Sequence, residues 1–113
     1  MRKTTSFLLI VILLFGSIAC ASAPLGDTVR DKPFVSWYMG MAEQVKANPN
    51  YHKIPLDTDD RAHAFIQWLH ALYRQEITPE QFEQKVADAY PGHDYEARFL
   101  VRCLPPVSER PQP

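Results

Sequence analysis

An all-α fold, a small bundle of about four short helices, is what this 113-residue sequence predicts, on three observations. First, apolar residues recur at steps of three and four, as Phe65, Ile66, Leu69, Leu72 and Tyr73, and again as Phe82, Val86, Ala89 and Tyr90. That spacing lays one apolar stripe along a helix. Second, the segment between the two runs reads as a helix start in three independent ways. Thr78 can cap the free amides of the next turn while Gln81 reaches back, a capping box. Pro79 falls at the first helical position, where its missing N–H costs nothing. Ile77 and Phe82 bracket the cap as a hydrophobic staple. Third, no stretch shows the two-residue alternation of a strand. Residues 65–90 are therefore predicted to be a helical hairpin on whose apolar seam the other segments settle.

The remaining elements follow in chain order. Arg2 and Lys3 precede an unbroken apolar run at 7–15, and Ala21-Ser22-Ala23 is a small-x-small cleavage site. This is the pattern of a secretory signal peptide over residues 1–23. The uncharged run from 4 to 26 keeps an uncleaved membrane anchor open, although its strongly apolar part is shorter than the ~20 residues of a comfortable span. Cys20 offers a further route. Ile18-Ala19-Cys20 resembles the box that precedes a lipidated cysteine in bacterial lipoproteins, and Ser17 departs from it. Processing there would end the leader at 19 and anchor the chain through Cys20.

Residues 24–33 are polar and without period, and are expected to be a flexible or strand-like arm. The helical domain is expected over 34–104. Phe34, Tyr38, Met41 and Val45 mark a first helix that ends at Asn48-Pro49-Asn50. Gly40 inside it costs up to ~1 kcal/mol against Ala, or marks a close helix crossing. Residues 51–56 form a loop in which Pro55 holds Ile54 extended. Asp57 or Thr58 caps the second helix, with Asp59 and Asp60 complementing its positive end, and it runs to about Gln75. Pro91-Gly92 closes the third. Asp94 is expected to cap a fourth over 95–104, apolar on most sides and therefore central. The Pro-rich tail 105–113 is expected to be disordered.

Leu69, Leu72, Ile77, Thr78, Glu80 and Phe82 together give a helix, a turn and a second helix start in a pattern that resembles short C-terminal (SHOCT-type) domains. Glu76 departs where that family prefers Gly, and Gln81 departs at its second Glu. The resemblance covers about 26 of the 113 residues and implies hairpin geometry, with no activity attached.

Charge and cysteine usage bound the function. Without Arg2 and Lys3, ten basic residues face thirteen acidic ones, a net charge of −3. A mildly acidic surface argues against nucleic acid and against anionic membrane surfaces as partners. Contact with a membrane is then expected only through a lipid anchor or an uncleaved leader. Beyond the leader one cysteine remains, Cys103, which excludes an internal disulfide. It is either a buried, inert thiol or an intermolecular bridge that makes a homodimer.

Four histidines raise the question of a metal. His63 and His70, seven apart on one helix, lie ~10.5 Å apart along its axis, too far to share an ion held at ~2.0–2.1 Å. With no His-x3-His or Cys-x2-Cys spacing, no metal or cofactor is expected. His93 with Asp94 or Glu96 can be drawn as an acid–base pair, yet acids in a first helical turn are favoured by the dipole alone. Cys103 sits toward a helix C-terminus, where a thiolate is disfavoured. No glycine-rich phosphate loop and no G-x-S-x-G elbow occur.

Trp37 and Trp68 are core residues or, where exposed, anchors of a partner surface. With His63 and His70 at the edge of the apolar stripe, these four are the candidate partner-binding residues. The expected function is a small exported, non-enzymatic binding protein of the cell envelope, periplasmic or secreted, acting on another protein as an inhibitor (immunity-type) or a pilot-type adaptor. Two alternatives stand beside it: a pH-responsive envelope stress or structural factor working through the histidines, and a small hydrolase built on His93.

Overall fold

Thr78 and Gln81 make both halves of the capping box. The Gln81 N–H donates to Thr78 Oγ1 at 3.1 Å, and the Thr78 N–H donates to Gln81 Oε1 at 2.8 Å. This start fixes one arm of the hairpin in the structure, a computed structural model that describes residues 26–112. The helices are α1 (Gly26–Arg30), α2 (Lys32–Ala47), α3 (Asp59–Tyr73), α4 (Pro79–Ala89) and α5 (Asp94–Arg102), followed by a 3₁₀ turn at Val107–Glu109. No strand occurs among the described residues, and the fold is the small all-α bundle read from the sequence. The leader, its cleavage site and Cys20 lie outside the described residues. Replacing Thr78 with Ala is expected to cost about 1 kcal/mol of stability through the lost cap. An unchanged denaturation midpoint would contradict that assignment.

The seam of the hairpin is aromatic. Phe65 on α3 meets Phe82 on α4 edge to face at 5.9 Å between ring centroids and Tyr90 at 6.4 Å. Leu69, Leu72, Phe82 and Val86 are fully buried along it. Across the other side of α3, Phe34 of α2 packs edge-on against Tyr73 at 5.7 Å and His70 at 4.8 Å. Ile54 from the 48–58 connection and Ala97 and Leu100 from α5 complete one continuous core.

Five expectations are corrected. The arm at 24–33 is helical from Gly26 and Thr28 is buried, because Asp31 accepts the Phe34 N–H and caps α2, with Pro33 in its first turn. The tail is not free. Arg110 Nη1 donates to Leu72 O at 3.1 Å and Gln75 Nε2 donates to Pro111 O at 3.1 Å, so the proline-rich segment exchanges one bond in each direction with the end of α3. Asp94 does not cap α5. His93 occupies the cap position without a side-chain bond, and Asp94 and Glu96 sit in the first turn. The face of α5 also differs, since Tyr95 is exposed and Glu96 is buried. Gly40 marks no helix crossing, because a Cβ there would meet nothing within 4 Å.

The end of α3 has a feature that the sequence hid. Gln75 adopts φ 62°. Its own N–H bonds Leu72 O at 3.1 Å and the Glu76 N–H bonds Ala71 O at 2.8 Å, the paired bonds of a Schellman cap. A glycine usually holds that position, since a Cβ there costs roughly 1–2 kcal/mol. The Gln75 side-chain bond to the tail offsets part of this cost.

Candidate functional site

An apolar groove of about 320 Å³ opens between α2, α3 and the 48–58 connection. Tyr38, Met41, Ala42 and Val45 line it from α2, and Ala62, Phe65, Ile66 and Leu69 line it from α3. Tyr51, Ile54 and Leu56 form its wall, and Leu100 of α5 its floor. The space exists because Ala42 and Ala62 stand where longer side chains would close the helix–helix gap. Lys46 and Lys53 are the charged residues that line it, and no carboxylate does. Lys46 reaches Glu43 in an exposed contact of 3.3 Å, while Lys53 takes part in no ion pair among the described residues.

The wall is held from below. Glu96 is 2% exposed. Its Oε2 accepts the backbone N–H of His52 at 2.9 Å, and its Oε1 accepts from His93 Nδ1 at 3.1 Å. Burial works to raise this carboxyl, but the N–H of His52, its own N–H and His93 outweigh it and hold it below its ordinary value of 4.5. The adjacent Tyr51 is pushed up to about 12, mainly by burial and then by the charge of Glu96, so its hydroxyl stays protonated. An Asx turn at the start of the connection, Asn50 N–H to Asn48 Oδ1 at 2.9 Å, fixes where the wall leaves α2.

A polar cluster lies elsewhere, where α1 meets α3. His70 Nε2 is 2.8 Å from Asp31 Oδ2, His70 Nδ1 is 3.3 Å from Thr28 Oγ1, and Arg74 Nη1 is 3.1 Å from the same Asp31 oxygen. Burial acts to raise Asp31, but bonds from His70, Arg74 and the Phe34 N–H hold it below its ordinary 3.8. Hydroxyl, imidazole and carboxylate stand in the order of a nucleophilic triad. Thr28 is 6% exposed, however, and the orienting carboxylate is shared with an arginine. The same side chains line an open cleft of about 780 Å³ together with Asp27, Arg30 and Glu76, and their bonds tie α1 and the start of α2 to α3.

The sequence-derived candidates fall in different places. Trp37 is half-buried, donates from Nε1 to Cys103 O at 2.8 Å and stacks on Tyr73 at 5.6 Å. Trp37 and His70 both pack on Phe34, whereas Trp68 packs on Phe65 and Tyr90 with Lys85 5.8 Å above its ring. His63 is exposed. Cys103 is a free, half-buried thiol at the end of α5, 3.5 Å from Gln44 Oε1, and burial pushes it up. His93 and Glu96 are paired at 3.1 Å, and Glu96 also accepts the His52 N–H of the wall. Sequence reasoning paired His93 with Asp94 or Glu96, and the structure joins it to Glu96, but the burial of Glu96 and the groove were missed. The signal for Glu96 was its four-residue spacing from Leu100, which places a charge on the buried face.

Among the described residues no three His, Cys, Asp or Glu side chains converge as metal ligands, and no helix is long and apolar enough to cross a membrane. The chain matches no family model, no curated protein and no solved structure.

Proposed function

We propose that this is a small non-enzymatic binding protein of the cell envelope, and that it seats an apolar group of its ligand in the groove between α2 and α3. The groove itself carries the reading: its lining is apolar or aromatic at every position except Lys46 and Lys53. Its volume falls at the lower end of the roughly 300–1,000 Å³ of small-molecule sites. Each methylene withdrawn from water there contributes about 0.8 kcal/mol before ordering costs. Support for the envelope comes from the basic start, apolar run and small-x-small site of residues 1–23.

The test is titration with N-phenyl-1-naphthylamine, a neutral dye that brightens in apolar surroundings. Saturable binding at one site is expected. Ala62→Phe, and independently Ala42→Phe, should fill the groove and weaken that binding at least tenfold while the far-UV circular dichroism stays unchanged. Absence of saturable binding, or equal binding by both folded variants, would remove the groove as the site.

A further inference from the structure

We infer that the occupant of the groove is a free single-chain amphiphile with an anionic headgroup, a fatty carboxylate of about ten carbons, with its chain against the apolar lining and its carboxylate at Lys46 and Lys53. This rests on the groove reading above and adds the chemical class of the ligand.

Charge placement is the first argument. The chain beyond the leader carries three more acidic than basic residues, yet both charged residues lining the groove are lysines. Lys53 stands on the wall without an ionic partner among the described residues, and the only partner of Lys46 is an exposed Glu43 on its own helix. An apolar trough with cations at its edge and no competing carboxylate complements a molecule that is greasy along its length and negative at one end. The Tyr51 hydroxyl, kept protonated in the same lining, adds a neutral donor and no opposing charge.

Size is the second argument. If a methylene fills about the ~30 Å³ share of one liquid water, a volume of about 320 Å³ holds roughly ten chain carbons. A chain of that length matches the trough, whose α2 edge from Tyr38 to Val45 runs ~10.5 Å at 1.5 Å per residue. The wall has the stiffness that such a site requires, because the residue before Lys53 is tied through its backbone to the buried Glu96 at 2.9 Å.

The experiment is displacement of N-phenyl-1-naphthylamine at pH 7.5 by decanoate, 1-decanol and decyltrimethylammonium, each below its micellar concentration, using wild type and Lys46→Gln/Lys53→Gln. Decanoate is expected to displace the dye at about three- to tenfold lower concentration than decanol, and the cation to be weakest. Each exposed lysine is expected to contribute up to about fivefold. The double variant should lose the preference for decanoate while binding decanol as before. Equal displacement by decanoate and decanol, or an undiminished preference in the double variant, overturns the fatty-carboxylate assignment and leaves the groove reading intact. Displacement by phosphatidylglycerol vesicles but not by decanoate also overturns it and turns the lysines toward a lipid surface. Displacement by none of these amphiphiles, with the dye still bound, overturns it in favour of an apolar protein segment. A wild-type chain that fails to bind the dye at all defeats the groove reading itself.

Discussion

Phe82→Ala is expected to lower the unfolding free energy by about 3–5 kcal/mol, the usual cost of deleting a fully enclosed phenyl ring. The ring is 0% exposed and meets Phe65 edge to face at 5.9 Å across the hairpin seam. It lies one residue after Gln81, so the capping box at Thr78 survives the substitution and the loss isolates packing from capping. With eleven residues, α4 is too short to persist without its apolar face docked, since isolated helices below ~12–15 residues are marginal in water. A domain of this size has roughly 5–15 kcal/mol in total, so the variant would stand close to its own midpoint. Phe82→Leu keeps most of the volume and should cost no more than about 1.5 kcal/mol. Urea unfolding of the two variants beside wild type provides the measurement. An alanine variant within 1 kcal/mol of wild type would show that the seam does not depend on this ring.

The hairpin was readable from the sequence because its causes are local. Three- and four-residue apolar spacing, Thr78 with Gln81, and Pro79 all act within two turns of the residues they organise. The cap of α3 was narrowed to Asp57 or Thr58 for the same reason, and it is Thr58, whose Oγ1 accepts the Arg61 N–H at 3.2 Å. The parts that resisted reading are held by partners far away in the chain. Thr28 meets His70 across 42 positions and Arg110 meets Leu72 across 38, so neither α1 nor the tail announces its order in its own composition. The Asp31-Lys32-Pro33 start of α2 did carry a local signal, an N-cap acid followed by an early proline, that polar composition masked. The end of α3 lacked the glycine that usually marks a left-handed cap. The groove is harder still, because it is made by what two alanines leave unfilled, and an absence of volume has no periodicity. The work of His70 and His93 in clamps around Asp31 and Glu96 follows only from their three-dimensional neighbours.

Glu96→Ala is expected to cost about 2 kcal/mol, because it leaves two partly buried donors, the His52 N–H and the His93 ring, without their acceptor, at the low end of roughly 1–3 kcal/mol each for donors water can partly reach. Glu96→Gln keeps the volume and one acceptor oxygen and should cost about half as much. The same carboxylate gives a signed pH dependence. Glu96 and Asp31 are both held below their ordinary 4.5 and 3.8 in the folded chain. The unfolded chain therefore takes up these protons first as pH falls, and each group stabilises the fold above its ordinary value and ceases to do so on passing below its folded one. The melting temperature should accordingly be flat in this respect from pH 7 to about 5 and fall steeply below about 4.5. In Glu96→Gln the fall should be shallower and governed by Asp31, since one of the two linked protons is gone. Because the bond from His52 positions the wall that carries Lys53, the Gln variant should also bind the naphthylamine dye more weakly at pH 7 while remaining folded. A Glu96→Gln protein with an undiminished acid slope and wild-type dye affinity would separate the carboxylate from both roles. A shallower slope with unchanged affinity would leave Glu96 stabilising the fold and would free the groove wall from it.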